Sequence, residues 1–259
     1  AVLRVRGVPV FYFPYVYFPT SDERKSGFLA PYYGSTNESG FDVRTPYYWN
    51  IAPNYDATIT PRYIQDRGAM LGAQVRYRTR ESDGQLEFEY LPGDDLKDGE
   101  DRSLVSLRHH NYFHERRGEI ALLLNNVSDD RYFEDLGNAL SVTSRRFLDR
   151  RVNLKYRGDN NRFVIQALAQ GYQSVDENIP GSSEPYRRLP QIHLYLFPPS
   201  IGWGINAYLA TETTYFYRPE SVTAGRIDIE PVVSRPFKTE YLSIEPRMSI
   251  RHTQYLLDD

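Results

Sequence analysis

The sequence predicts an all-β protein whose bulk is an antiparallel transmembrane β-barrel, in part, with about twelve strands. Three observations point there. Apolar and polar residues alternate with period two along most of the chain. The alternating runs are even in length and close to the ~9–11 residues that a tilted membrane strand needs. Aromatic residues cluster near the ends of the runs (Tyr47, Tyr48, Trp49, Tyr63, Tyr90, Tyr112, Phe113, Tyr215, Phe216, Tyr217), as interfacial girdles do. A soluble β-rich binding module stays open as an alternative, because the barrel signal in any one strand is weak.

Composition agrees. The 259 residues hold 22 tyrosines, 2 methionines and no cysteine, so neither a disulfide nor a thiolate metal site can form within the chain. A net charge of −3 gives no basic footprint for nucleic acid. No apolar run approaches the ~18 residues of a membrane helix. Mean hydropathy is −0.59, low as it would be where strands hide their apolar residues at alternate positions.

Residues 1–40 differ from the rest. "VRGVPVFYFPYVYFP" is apolar and aromatic, punctuated by Pro9, Pro14 and Pro19, and "SDERKSGFLAP" adds a charge cluster and Gly27. Short edge strands and turns are expected, as the end of a separate β unit and a connector into the barrel. The opening lacks a charged start followed by a cleavable apolar core and reads like mid-domain sequence, so a piece of a longer protein is expected.

From 41 onward the strands are expected in order at 41–51, 55–64, 69–78, 85–90, 103–113, 118–126, 151–157, 162–173, 188–197, 203–217, 225–234 and 242–251. In 69–78, for example, Leu71, Ala73 and Val75 oppose Gln74, Arg76 and Arg78. In 242–251, Leu242, Ile244, Met248 and Ile250 oppose Ser243, Glu245, Arg247 and Arg251. Turn chemistry separates the runs: "ESDG", "PGDD", "RGDNN", "ENIPGSSEP" and "PPSIGWG". No helix is expected. The acids of "SDDRYFED" (128–135) lack calcium-loop spacing and read as a self-capped loop.

The oddest stretch is "TPYYWNIAPNYDATITPRY" (45–63). Alternation places Phe41, Val43, Thr45, Tyr47, Trp49 and Ile51 on one face and Asp42, Arg44, Pro46, Tyr48 and Asn50 on the other, taken as the lumen. In the next strand Asp56, Thr58, Thr60 and Arg62 share that lumen face, opposite Tyr55, Ala57, Ile59, Pro61 and Tyr63. Pro53 fits a turn. Pro46 and Pro61 sit in mid-strand, where each deletes a ladder donor. They read either as plain bulge or edge positions or as a deliberately weak seam. If 41–51 is the first barrel strand, its outer edge is free for pairing with the last.

Catalytic motifs are missing: no nucleophile elbow, phosphate loop or zinc motif appears, and no enzyme is expected. "HHNYFH" puts His110 and His114 on one face and His109 on the other, which suits solvated rim residues better than three converging metal ligands. No cofactor is implied. Lumen cations (Arg76, Arg78, Arg108, Arg151, Lys155, Arg157) suit either phosphate groups of a ligand or acids such as Glu87 and Glu89 across the lumen.

"GVPVFYFPYVYFPTSDERKSGFLAP" (7–31) and "PYYWNIAPNYDATITPRYIQDRG" (46–68) resemble the LPS-assembly protein family LptD, also called OstA or Imp. "NNVSDDRYFEDLGN", "RLPQIHL", "GRIDIEPVVSRPF" and "EPRMSIRHTQY" extend the likeness over nearly the whole chain. The resemblance implies a periplasmic β-jellyroll that receives lipopolysaccharide from the LptA bridge, then a large outer-membrane barrel plugged by the lipoprotein LptE. It implies lateral release into the membrane lipids between the first and last strands, with Pro46 and Pro61 as gate prolines and Tyr48, Asn50, Asp56 and Arg62 along the lipopolysaccharide path. On that likeness residues 1–40 end the jellyroll and 41–259 are the N-terminal part of the barrel. A self-closed barrel of about twelve strands, acting as a pore or enzyme, is the alternative, and it requires 41–51 to pair with 240–255.

Overall fold

Alternating side chains give each strand one face for water or polar partners and one apolar face. The computed structural model describes residues 2–5, 8–12, 24–137, 146–176, 178–199 and 201–258; Pro14 and Pro19 of the opening segment lie outside these. The strands are β1 Val2–Val5, β2 Val8–Tyr12, β3 Gly27–Phe28, β4 Tyr32–Thr36, β5 Gly40–Arg44, β6 Tyr47–Ala52, β7 Tyr55–Ile64, β8 Gly68–Arg78, β9 Ser82–Asp94, β10 Glu100–Phe113 and β11 Gly118–Val127. A short helix, α1 Tyr132–Leu136, precedes β12 Phe147–Arg157, β13 Phe163–Ser174, β14 Arg187–Leu196, β15 Asn206–Tyr217, β16 Thr223–Ser234, β17 Phe237–Lys238, β18 Ser243–Ile244, β19 Arg247–Ser249 and β20 His252–Asp258.

The protein is nearly all β. β1 and β2 form a ribbon, as do β17 and β18, and 16 strand segments make one antiparallel sheet. Sequential neighbours pair throughout, from β7 to β16. Three pairs of segments run end to end: β3 with β4, β5 with β6, and β19 with β20. The sheet ends at β3–β4 on one side and at β19–β20 on the other. Among the described residues, then, 41–51 makes no pair with 240–255, which removes the closure that the self-closed alternative requires.

Faces follow the expected parity. Trp49, Tyr63, Leu71, Val75, Leu86, Phe88, Ile227 and Ile229 are exposed on one face. The other face buries Asp56, Asp94, Arg102 and Asp228. Among the described residues, no helix is long and apolar enough to cross a membrane.

Four details differ from the sequence expectation. The edge of 41–51 is covered, not free: Phe28 pairs with Tyr47 and Tyr33 with Val43. The strand 41–51 is interrupted at Thr45–Pro46, though Arg44↔Arg62 and Tyr47↔Ile59 keep one register across the break. The strand expected at 242–251 is instead β19–β20, shifted toward the C-terminus. Pro246 ends the short β18 ribbon, and alternation continued across it joins two separate elements. The fourth is α1, where a loop was expected. Five residues are too few for a helical period to show in sequence, and a helix that short depends on tertiary contacts. It buries Tyr132 and Leu136 against Ile64, Met70, Leu91, Val127 and Leu148.

β9 also runs through "PGD" instead of turning there. Gly93 adopts φ +61 next to a register shift against β10, a bulge conformation that glycine takes without strain.

Candidate functional site

Directly opposed residues in an antiparallel pair alternate between those that exchange two backbone hydrogen bonds and those that exchange none. Thr45 and Pro61 occupy an exchanging position. The Thr45 amide donates to the Pro61 carbonyl at 3.1 Å, but proline has no N–H to return the bond. One residue on, the Leu29 amide donates to the Pro46 carbonyl at 2.8 Å, and again proline returns nothing. The line β5–β6 therefore loses one bond on each side at consecutive residues. Pro61 weakens its hold on β7, and Pro46 weakens its hold on the 27–36 edge. Pro53 lies in the turn between β6 and β7, where its carbonyl accepts from Arg24 Nη2 at 2.5 Å.

The far edge carries a third one-way pair: the Ile250 amide donates to the Pro231 carbonyl at 3.4 Å. Pro231 lies in mid-run of the expected strand 225–234, as Pro46 and Pro61 do in theirs, but its one-way bond shows only once β19–β20 is in place.

On the polar face, Tyr48, Asn50 and Asp56 come together. Asp56 is 5% exposed and accepts from Arg76 Nε at 2.7 Å, Arg76 Nη2 at 3.0 Å, Arg24 Nη1 at 3.1 Å and the Tyr48 hydroxyl at 3.3 Å. Asn50 donates its backbone amide to Ser26 Oγ and its Nδ2 to the Arg24 carbonyl. Residues 24–26 are thus strapped onto β6 by side chains as well as by backbone. Two of the six expected lumen cations pair with acids on their own side: Arg76 takes Asp56, and Arg151 takes Asp149 at 3.4 Å.

Arg62 stands apart from that group. Its Nε and Nη2 each donate to Asp42 at 3.0 Å, a forked pair, and Nη1 donates to the Leu136 carbonyl at 2.8 Å. Asp42 also accepts from Arg44 at 2.9 Å. Arg62 therefore joins β5, β7 and the end of α1.

A second charged cluster seats α1 through Asp129 before it and Asp135 within it. Arg102, 1% exposed, donates to Asp129 at 2.6 and 2.9 Å, to Asp94 at 3.0 Å and to Asp135 at 2.9 Å. Arg67 adds bonds to Asp94 at 2.8 Å and Asp135 at 3.2 Å. Burial alone would raise the Asp129 carboxyl, but the Arg102 guanidinium and the Ser128 hydroxyl outweigh it and hold it below the usual carboxylate range. The Tyr132 hydroxyl donates to Glu89 at 2.7 Å; burial, then that carboxylate, push it well above an ordinary tyrosine. This network is invisible in one sequence, since Arg67, Asp94, Arg102, Asp129 and Asp135 come from two turns, two strands and α1. The expectation of a loop capped by its own acids is met where Asp129 accepts from the Arg131 amide and the Ser128 hydroxyl; Asp129 and Asp135 also face Arg102.

A cavity of about 500 Å³ lies beside α1 on the polar face, lined in part by Thr58, Thr60, Arg62, Glu89, Phe133 and Leu136. Among the described residues, no group of three or more His, Asp or Glu converges to hold a metal. The histidines of 109–114 disperse: His109 contacts Tyr77, His110 lies 3.7 Å from Asp83 and 3.4 Å from Glu119, and His114 bonds Tyr156.

Two family profiles match. The one described as LptD, LPS transport system D, covers residues 100–259, and the one described as LptD protein covers 1–117. An LPS-assembly protein LptD from Nitrosococcus oceani is 42% identical over 261 residues, spanning the whole of this chain and 35% of that protein. Proteins of the same name from Aromatoleum aromaticum (39% identical, 97% of this chain, 31% of theirs) and Pseudomonas aeruginosa (36%, 100% and 30%) match alike. The chain spans about a third of the length of these relatives.

Proposed function

The chain belongs to the LptD family, and from that membership we propose that it is part of the conduit that carries lipopolysaccharide into the outer leaflet of the outer membrane of a Gram-negative bacterium. In this reading residues 1–40 end a periplasmic jellyroll supplied by LptA, and 41–259 form the N-terminal part of a barrel plugged by LptE. Transport of this kind makes and breaks no covalent bond, so no catalytic residue is assigned.

The observation that carries the reading is the pair of one-way hydrogen bonds at Thr45–Pro61 and Leu29–Pro46. Lipid offers no substitute partner for a backbone group, so a membrane strand keeps its ladder closed. A strand that lacks a return bond on each side separates from its neighbours for less. Lipopolysaccharide leaves sideways along the outer edge of β5–β6, where the 27–36 strand is held past Pro46 with one bond fewer. The sugars travel on the polar face past Tyr48, Asn50, Asp56 and Arg62, whose hydroxyl, amide and charged groups suit hydroxyl- and phosphate-bearing cargo.

The test is to restore the donors in the full-length protein with Pro46→Thr and Pro61→Val. Slower arrival of lipopolysaccharide at the cell surface supports the seam. An unchanged rate in both variants removes the prolines from the mechanism.

A further inference from the structure

We propose that α1 is a latch on the proline-interrupted strands, with Arg62 as the positioning residue that transmits its state. This goes beyond the transport reading, since it concerns what governs the seam and not what crosses it.

The backbone ladder between β5–β6 and β7 is short of a bond at Thr45–Pro61. Immediately beside that gap, Arg62 on β7 forks onto Asp42 on β5, and the two side chains are 9% and 13% exposed. The side-chain clamp holds together what the backbone holds weakly. Its third arm reaches neither strand. Nη1 donates to the Leu136 carbonyl at 2.8 Å and, at 3.7 Å, to the softer Met70 Sδ on β8, so the seated α1 supplies the stronger of the two anchors that fix the guanidinium in its forking orientation.

α1 is seated from the other side. Arg102 grips Asp129 and Asp135 just before and within it, and Tyr132 reaches Glu89 on β9. Between these anchors and Arg62 lies the cavity, so close packing does not fill the space from Thr58 and Thr60 to Phe133. α1 thus ties β9–β10 to β7: Arg102 and Glu89 hold it by charge and hydrogen bond, and its Leu136 carbonyl meets Arg62 where Tyr132 and Leu136 share one buried cluster with Ile64 and Met70. Release at the β9–β10 end withdraws the Leu136 carbonyl from Arg62 and loosens the clamp on Asp42. By linkage, a closed seam equally favours a seated α1.

Hydrogen exchange on the full-length protein in lipid nanodiscs tests this without any transport assay, so its outcome is independent of the lipopolysaccharide reading. Tyr132→Phe removes the Glu89 bond far from the seam. The latch requires the Thr45 and Gln65 amides, which donate to the Pro61 and Phe41 carbonyls, to exchange about fivefold faster, the scale of one lost hydrogen bond, while β13–β15 stays unchanged. Arg62→Gln must produce the same acceleration, and adding Tyr132→Phe to it must produce no more. Should Tyr132→Phe fail to fold, Asp129→Asn unseats α1 through Arg102 and carries the same expectation. Acceleration confined to 128–137, or additive effects of the Tyr132 and Arg62 changes, would overturn the latch.

Discussion

Thr45 and Pro61 face each other across β5–β6 and β7 and share one backbone hydrogen bond, 3.1 Å long, at a position where two residues ordinarily exchange two. The mid-strand proline is conspicuous by itself, but it says nothing of its partner. The defect exists only in the pairing, and Leu29 and Pro46 repeat it on the other side one residue later.

Pro61→Val supplies the missing donor and keeps an apolar side chain on the exposed face. The new amide is expected to bond the Thr45 carbonyl and stabilise this strand pair by about 1 kcal/mol. Slowed exchange at Thr45, read by mass spectrometry, is the expected result; unchanged exchange would mean the gap is already bridged.

Asp42→Asn leaves Arg62 and Arg44 facing a neutral acceptor on a mostly buried face. Breaking a buried ion pair from one side costs about 3 kcal/mol. The temperature at which the folded barrel unfolds in detergent should fall, and an equal fall in an Arg62→Gln background would show that the pair is not the cause.

Arg102→Met should be more damaging than Asp129→Asn. The methionine fills the volume but leaves Asp94, Asp129 and Asp135 close together, with Arg67 as their remaining short-range partner and Lys97 and Arg131 no nearer than 3.9 Å. The expected loss is about 3–5 kcal/mol against about 1 for the asparagine, measured by denaturant unfolding.

What the sequence exposed was whatever depends on period and parity. β7 lies at 55–64 as expected, and the grouping of Asp42, Arg44, Asp56 and Arg62 on one face followed from counting. Partners between distant segments did not follow. Arg102 at the start of β10 and Asp135 in α1 have no shared pattern, and five helical residues cannot announce a period. Pro46 and Pro61 were conspicuous as mid-strand prolines, but their one-way bonds required the register, and the 27–36 strand on the outer edge broke with the expectation of a free one.

Acid should loosen α1. Asp129 titrates below the ordinary carboxylate value of 3.8, so its contribution is fully present above that pH and is lost as pH falls through the lower folded value. The edge-to-face rings of Tyr132 and Phe133, 5.6 Å apart, give a near-ultraviolet circular dichroism signal that should decline in this window. In Asp129→Asn that step should disappear; if it persists unchanged, another acid governs it.

The central claim, that cargo leaves at the outer edge of β5–β6, is tested most directly by locking that edge. Phe28 and Tyr47 are register partners with rings 5.1 Å apart, and cysteines at such directly opposed positions can form a disulfide. In full-length protein carrying Phe28→Cys and Tyr47→Cys, oxidation is expected to halt delivery of lipopolysaccharide to the surface, while each single variant transports normally. Undiminished delivery from fully crosslinked protein would contradict the account, because the edge would then never have needed to open.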